Sequence, residues 1–191
     1  MTARTHDLAA LTAIIYFIAT QPIPQMNLAT AIGAFGANMI GGMLPDIDDA
    51  SSDFWDTIRI GNIVSKITKP LLGNHRMITH SLLGMAIIGF ILKQILAATG
   101  KYVLMDMDVI WLSAMIGFFS HLVMDSITKE GVPWLFPVPI KFGFPPIKFL
   151  RIKTGGAIEK AIIFPGLMLF NIYLIYNQYP IFYNFFKSLG K

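Results

Sequence analysis

Five apolar stretches take up much of this chain of 191 residues and limit what it can fold into more than any other feature. They cover residues 8–20, 26–44, 81–98, 109–126 and 161–176. An α-helix needs about 20 predominantly apolar residues to cross a bilayer, and four of the stretches approach that length. The first is short for a full span. The sequence therefore predicts an all-α fold, a polytopic membrane helix bundle with about five spanning helices, forming a single domain over residues 1–191.

The composition agrees with lipid as the main solvent. Hydrophobic residues make up 54% of the chain and charged residues 14%, against roughly 25% charged residues in a typical soluble domain. The net charge of +4 comes from basic residues spread over the connecting segments, so a nucleic-acid partner is not expected. Because the chain has no cysteine, it has neither disulfides nor a thiolate that could act as nucleophile or metal ligand.

The distribution of basic residues predicts how the helices cross the membrane. With the amino terminus in the cytoplasm, 11 of the 15 Lys and Arg residues lie on the cytoplasmic side. This orientation follows the positive-inside rule. We therefore expect a multi-pass protein of the inner (plasma) membrane with a cytoplasmic amino terminus. A cleaved signal peptide is the alternative for the first stretch, but Ala19-Thr20-Gln21 is a poor cleavage site.

Two segments outside the spans have a distinctive composition. Residues 131–156 are rich in proline and aromatic residues, which disfavours a regular helix and predicts an ordered loop at the cytoplasmic interface. Residues 180–191 alternate aromatic and polar side chains, a pattern typical of a short interfacial helix. Within the second apolar stretch, glycine and alanine recur on one face, which predicts close helix packing at the centre of the bundle.

All four histidines and several acids fall at the same predicted side of the membrane. They lie at the start of the first, third and fifth predicted helices and at the end of the second and fourth. The residues are His6, Asp46, Asp48, His75, His80, His121, Asp125 and Glu159. With the amino terminus inside, every one of these positions lies at the cytoplasmic end. Ionisable groups are rare in membrane segments and often mark function, so their common depth predicts a shared site.

Two motifs indicate what this site binds. His121 and Asp125 are four residues apart, so on a helix they lie on one face and can share a metal or form a hydrogen bond between helices. Pro45 ends the second stretch and is followed by Asp46 and Asp48. Their carboxylates repel each other unless a cation neutralises them or water solvates them. Each motif alone is equally compatible with metal ligands and with ordinary polar helix ends.

Together, these residues predict a site for a divalent metal. The expected ligands are Asp46, Asp48, His80, His121, Asp125 and His6. Imidazole and carboxylate donors favour zinc, with manganese or iron as alternatives, and so many donors could hold one ion or two. Such an ion supplies hydroxide near neutral pH, so an ester could be hydrolysed without a protein nucleophile. His75 or Glu159 is then expected as general acid or base, and Arg76 as the group that binds substrate charge.

The order of these motifs resembles the YdjM-like family of inner-membrane proteins. The resemblance covers most of the chain and lies in Thr5-His6, Leu44-Pro45-Asp46-Ile47-Asp48, His75-Arg76 with Thr79-His80-Ser81, His121-Leu122-Val123-Met124-Asp125, and Lys153-Thr154-Gly155 before Glu159. It implies a location in a bacterial or archaeal membrane and a metal-dependent hydrolase activity. It implies no particular substrate.

Three functions are compatible with the sequence. The leading hypothesis is a hydrolase at the cytoplasmic face, acting on a membrane lipid or another amphiphile with an ester or phosphoester bond. The first alternative is a non-catalytic membrane protein in which a structural metal or polar cluster locks the helices together. The second is an ion transporter, which is disfavoured because the centres of the spans carry almost no charge. The sequence does not predict an oligomeric state.

Overall fold

The computed structural model describes residues 1–21, 26–48, 78–138 and 140–189. These ranges contain six α-helices: α1 (Ala3–Thr20), α2 (Leu28–Met43), α3 (Leu82–Thr99), α4 (Met107–Ser126), α5 (Phe164–Asn177) and α6 (Tyr179–Leu189). Short 3-10 turns lie at Leu44–Asp48, Gly100–Tyr102 and Lys148–Leu150. A π-helical turn, Glu159–Ile163, leads directly into α5. The described part of the chain has isolated β-bridges and no strands, so the all-α prediction is confirmed.

Four helical segments are long and apolar enough to cross a membrane: Leu28–Ile47, Leu82–Tyr102, Met107–Ser126 and Glu159–Asn177. They correspond to the last four predicted spans. Helix α1 is not among them. It begins at Ala3, before the predicted apolar stretch, and its first two turns carry Arg4, His6 and Asp7. A full crossing by α1 therefore stays a prediction.

Helices α2 and α4 are in direct backbone contact. A Cβ atom on Gly41 would lie 2.0 Å from the carbonyl oxygen of Ala114, and one on Gly117 would lie 2.0 Å from the carbonyl oxygen of Asn38. Glycine permits this approach because it has no side chain to separate the helices. The Asn38 amide also donates to the Ser113 carbonyl oxygen at 3.2 Å. Of the small residues predicted to pack closely in the second stretch, Gly33 and Gly41 therefore face α4, whereas Gly42 faces Ala10 of α1 and Gly36 has no neighbour within 4 Å.

Helix α4 is the most buried of the spanning segments, with 50% of its span inside the protein against 11% for the span that contains α3. Phe118 and Leu122 of α4 are fully buried and pack with Val132. On α3, large apolar side chains such as Phe90 are exposed. Lipid solvates such surfaces, so this exposure agrees with a membrane location. The tail forms a helix as predicted, α6, and buries Phe182.

The proline-rich segment between α4 and α5 forms an ordered loop, as predicted, and its described residues contain no α-helix. Val132 and Phe142 exchange two backbone hydrogen bonds of 2.8 and 2.9 Å. The Trp134 indole donates to the Ser126 hydroxyl at 2.9 Å, and the Trp134 carbonyl oxygen accepts the backbone N–H of Leu82 at 3.1 Å. The loop thus connects the end of α4 to the start of α3, where the predicted site residues lie.

Candidate metal centre

Five of the predicted site residues meet at one end of the bundle, although they come from four parts of the fold. His6 lies near the start of α1, Asp46 in the 3-10 turn after α2, His80 just before α3, and His121 and Asp125 near the end of α4. The four side chains other than Asp46 are at most 3% exposed, whereas that of Asp46 is 26% exposed. Among the described residues, the cluster is therefore closed on most sides and open beside Asp46.

His80 is positioned by the local structure at the start of α3. Ser81 caps this helix with its side chain, which is the usual role of a serine at a helix amino terminus. His80 Nδ1 is hydrogen bonded to the Thr79 hydroxyl at 3.1 Å. Its other ring nitrogen, Nε2, lies 3.4 Å from Asp46 Oδ1 and 3.7 Å from Asp125 Oδ2. The ring therefore presents Nε2 to both carboxylates.

His121 has the most clearly defined orientation in the cluster. Its Nδ1 donates a hydrogen bond of 2.7 Å to the Gly42 carbonyl oxygen, since a carbonyl oxygen can only accept. Nε2 lies 3.7 Å from Asp46 Oδ1 and 3.9 Å from Asp125 Oδ2. These distances are too long for hydrogen bonds, and the buried nitrogen has no hydrogen-bond partner within the described ranges. Burying an imidazole nitrogen between two acids in this way is costly unless a cation binds there.

The separations between these donor atoms fit a coordinated metal. Zinc binds imidazole nitrogen and carboxylate oxygen at about 2.0–2.2 Å, so two tetrahedral donors lie about 3.4 Å apart. The four distances from the Nε2 atoms of His80 and His121 to the carboxylates of Asp46 and Asp125 range from 3.4 to 3.9 Å. A ligating histidine usually donates its other ring N–H to an acceptor, as His121 does to Gly42.

His6 contributes to a second group of donors that shares His121 and Asp125. The His6 and His121 rings are parallel, with centroids 3.6 Å apart. His6 Nε2 lies 3.2 Å from Asp125 Oδ1, and the Met1 amino group contacts the same two atoms. The donor atoms of His6, His121 and Asp125 all lie within 4.8 Å of one another, as do those of Asp46, His80 and His121. Asp125 thus faces His6 with Oδ1 and the other two imidazoles with Oδ2.

Of the four other predicted site residues, the structure describes the side chain of Glu159 alone. His75 and Arg76 lie outside the described residues. Asp48 ends the 3-10 turn after α2, and its side chain is likewise outside the description. Glu159 is buried, and its carboxylate accepts hydrogen bonds from Thr2, Thr5 and Gly155.

The sequence carries little signal for the residues that orient the predicted ligands. Gly42 acts through its backbone carbonyl, which leaves no side-chain signal. Thr2 and Thr5 are hydroxyl residues beside His6, but their partner Glu159 lies more than 150 positions away in the chain. The one available signal is that a carboxylate at the start of a membrane span needs hydrogen-bond donors.

Known proteins resemble this chain over most of its length. The family model described as YdjM inner membrane protein matches residues 1–182. The chain is 35% identical to the uncharacterized protein YvsG of Bacillus subtilis (strain 168) over 182 residues, which cover 92% of this chain and 95% of that protein. It is 28% identical to the inner membrane protein YdjM of Escherichia coli (strain K12) over 167 residues, 85% of this chain and 77% of the relative. No solved structure matches.

Proposed function

We propose, from the premise that this chain belongs to the YdjM family of inner membrane proteins, that it is a metal-dependent hydrolase. Its proposed substrates are lipids or other amphiphiles with an ester or phosphoester bond, cleaved at the cytoplasmic face. Family membership and four apolar helices make it a membrane protein. The observation that carries the proposal is the orientation of His121, whose Nε2 lies between two carboxylates and has no hydrogen-bond partner among the described residues.

Asp46, His80, His121 and Asp125 would hold the metal. His121 can bind a single ion, because its Nδ1 is already bonded to the Gly42 carbonyl oxygen. Both donor groups use His121, which favours one ion over two. Imidazole and carboxylate donors suit zinc, manganese and iron. Zinc is the proposed ion because imidazole nitrogen and carboxylate oxygen are among its usual ligands and because it can expand from four ligands to five, which leaves a position for water.

The surroundings of the cluster support a reaction at its open side. When bound, a divalent ion polarises the ester or phosphoryl oxygen and lowers the pKa of water towards about 7. Asp46 is 26% exposed, whereas His121 and Asp125 are at most 1% exposed, so water and substrate reach the cluster past Asp46. We assign His75 as general acid or base and Arg76 as the group that binds substrate phosphate or carboxylate.

A structural metal site is the second candidate, and the burial of the cluster favours it. His6, His80, His121 and Asp125 are nearly inaccessible and join α1, α3 and α4. Structural sites fill every coordination position with protein ligands, whereas catalytic sites keep one position open. The binding energy of a structural metal contributes to folding. This candidate predicts bound metal, no turnover, and loss of stability when the metal is removed.

Metal analysis of the purified, detergent-solubilised protein is the first test. Asp125→Asn is compared with Asp108→Asn, because both acids lie on α4 and Asp108 is exposed at the opposite end, 2.6 Å from Lys93 Nζ. We expect about one ion per chain in the wild type and in Asp108→Asn. Asp125→Asn is expected to lose the metal, since a neutral amide is a weaker ligand than a carboxylate and the side chain keeps its size.

Activity separates the two candidates. The wild type and both variants are incubated with phosphoester and carboxylester lipids in mixed micelles. Turnover that disappears together with the metal in Asp125→Asn supports the hydrolase. Bound metal without turnover of any of these lipids supports the structural site. A well-folded wild type that binds no metal, even after reconstitution, contradicts both.

A further inference from the structure

Glu159 is a buried carboxylate with 1% of its surface exposed. Its Oε1 accepts the Thr2 backbone N–H at 2.8 Å, the Thr2 hydroxyl at 2.7 Å and the Thr5 hydroxyl at 2.7 Å. Its Oε2 accepts the Gly155 backbone N–H at 2.8 Å. Each carboxylate oxygen has about two lone-pair sites, so the three donors saturate Oε1 and the fourth uses one of the two sites of Oε2. A carboxylate bonded in this way is better suited to holding other groups in place than to accepting a proton from substrate or water.

The bonds to Glu159 fix the first turn of α1. Thr2 immediately precedes this helix, and its side chain does not cap it. Both donors of Thr2 go to Glu159 instead, which places a negative charge at a helix amino terminus, where it is favourable. Thr5, about one turn further along, adds a third bond. Because these donors are spread over a full turn, they fix the rotation of α1 about its axis.

His6 directly follows Thr5, so its position depends on that rotation. Successive residues are about 100° apart around an α-helix. A modest rotation of α1 would move the His6 ring away from His121, with which it is parallel at 3.6 Å. It would also break the contact of 3.2 Å between His6 Nε2 and Asp125 Oδ1. The geometry of this half of the cluster therefore depends on the first turn of α1.

The π-helical turn Glu159–Ile163 is the local structure that carries Glu159. Such turns are rare and are frequent at functional sites. This one lies directly before α5, which packs against α1. We propose that Glu159 is a positioning residue, which holds the first turn of α1 so that His6 lies against His121 and Asp125. This proposal rests on the proposed function in one respect, namely that the cluster binds a metal.

Three substitutions and one control test the role of Glu159. Glu159→Gln keeps the size of the side chain but replaces one carboxylate oxygen by an NH2 group. This group then faces N–H or O–H donors of Thr2, Thr5 and Gly155, from which it cannot accept a hydrogen bond. Thr5→Val removes one hydroxyl and keeps the shape, whereas Thr5→Ser keeps the hydroxyl and is the rescue variant. Glu130→Gln is the control, because Glu130 is the other glutamate of the chain and is exposed.

The first measurement is the rate at which diethyl pyrocarbonate modifies each histidine in metal-free protein, followed by mass spectrometry. We expect His6 to be protected in the wild type, in Glu130→Gln and in Thr5→Ser. In Glu159→Gln and Thr5→Val, His6 should react several times faster while His121 stays protected. Unchanged protection of His6 would overturn the proposal. The proposal would also be overturned if His121 lost protection to the same extent as His6, because Glu159 would then support the whole fold and not the first turn of α1 alone.

The second measurement is Co²⁺ binding, read from the absorption spectrum. His6 contacts the proposed ligands His121 and Asp125. Loss of a group that orients a metal ligand typically weakens metal affinity 10- to 100-fold, so we expect at least about a tenfold loss in Glu159→Gln, which displaces His6, and none in Thr5→Ser. If His6→Ala weakens Co²⁺ binding and Glu159→Gln does not, the positioning role is wrong although the metal site stands. If the wild type binds no Co²⁺, the proposed function is contradicted, and the reactivity of His6 alone decides the role of Glu159.

Discussion

His121 donates its Nδ1 hydrogen to the Gly42 carbonyl oxygen at 2.7 Å, across the contact between α4 and α2. This bond selects the tautomer in which Nε2 carries a free lone pair towards Asp46 and Asp125. Gly41, the neighbour of Gly42, and Gly117 of α4 allow the two helices to touch. The orientation of a proposed metal ligand therefore depends directly on the packing of two membrane helices.

Gly41→Ala is expected to destabilise the protein and to weaken metal binding. The added Cβ would lie 2.0 Å from the Ala114 carbonyl oxygen, so the helices must separate and the Gly42 carbonyl moves away from His121. Overpacking of this kind typically costs about 1–3 kcal/mol. Gly36→Ala is the control on the same helix, because its Cβ would meet nothing within 4 Å. Thermal unfolding in detergent and Co²⁺ titration measure both effects. Equal stability of the two variants would contradict the close contact.

Added zinc is expected to raise the unfolding temperature of the wild type but not of His121→Ala. A ligand that binds only the folded state stabilises it by about 2.7 kcal/mol at a concentration 100 times its Kd. Mg²⁺ is the control ion, because it prefers oxygen ligands and suits an imidazole site poorly. The measurement is thermal unfolding with each ion and with a chelator. A zinc-induced shift of the same size in His121→Ala would place the ion at another site.

Metal affinity is expected to fall as the pH is lowered from neutral to mildly acidic. Histidine and carboxylate ligands must be deprotonated to bind, so protons compete with the metal. Metal binding displaces any proton that the ligand atoms hold, and the affinity therefore rises with pH. Co²⁺ titrations over a series of pH values measure this dependence. An affinity that does not change with pH would argue against imidazole ligands.

Arg151→Lys is expected to loosen the loop between α4 and α5. The guanidinium donates to two backbone carbonyl oxygens, to that of Pro145 from Nε at 2.7 Å and to that of Pro146 from Nη2 at 2.9 Å. A lysine ammonium lacks the planar fork that makes these two bonds. Hydrogen exchange at the Val132 amide, which is bonded within the loop, should become faster. Lys148→Ala, at an exposed position of the same loop, is the control, and equal exchange in both variants would rule out this role of Arg151.

The lengths of the apolar stretches were enough to predict α2, α3, α4 and α5, because the thickness of a bilayer sets the length of a spanning helix. They did not predict where α1 begins. Its first turn is polar and is bonded to Glu159, a partner that lies far away in the chain. The π-helical turn Glu159–Ile163 also went unpredicted, since a change in the hydrogen-bond pattern of a helix leaves no mark on its hydrophobicity.

The meeting of His6, Asp46, His80, His121 and Asp125 could be predicted because alternate helix ends lie on the same side of a membrane. The distances between these side chains and their orientations could not be predicted. The orientation of His121 depends on a backbone carbonyl 79 positions away. The spacing of apolar residues predicts which face of a single helix is buried, but it does not predict how two helices dock. For the same reason, the sequence named Glu159 beside His75 as a candidate general acid or base but could not show that its carboxylate accepts hydrogen bonds from Thr2, Thr5 and Gly155.

The donors of the cluster are distributed from the first turn of α1 to the last turns of α4. A ribosome makes these parts in sequence, so a chain interrupted before α4 contains no complete centre. Under the proposed function, metal loading therefore comes after insertion of the fourth helix into the membrane. The ion would then stabilise fully inserted molecules alone. A shortage of metal in the cell would lower the amount of mature protein without slowing its synthesis or insertion.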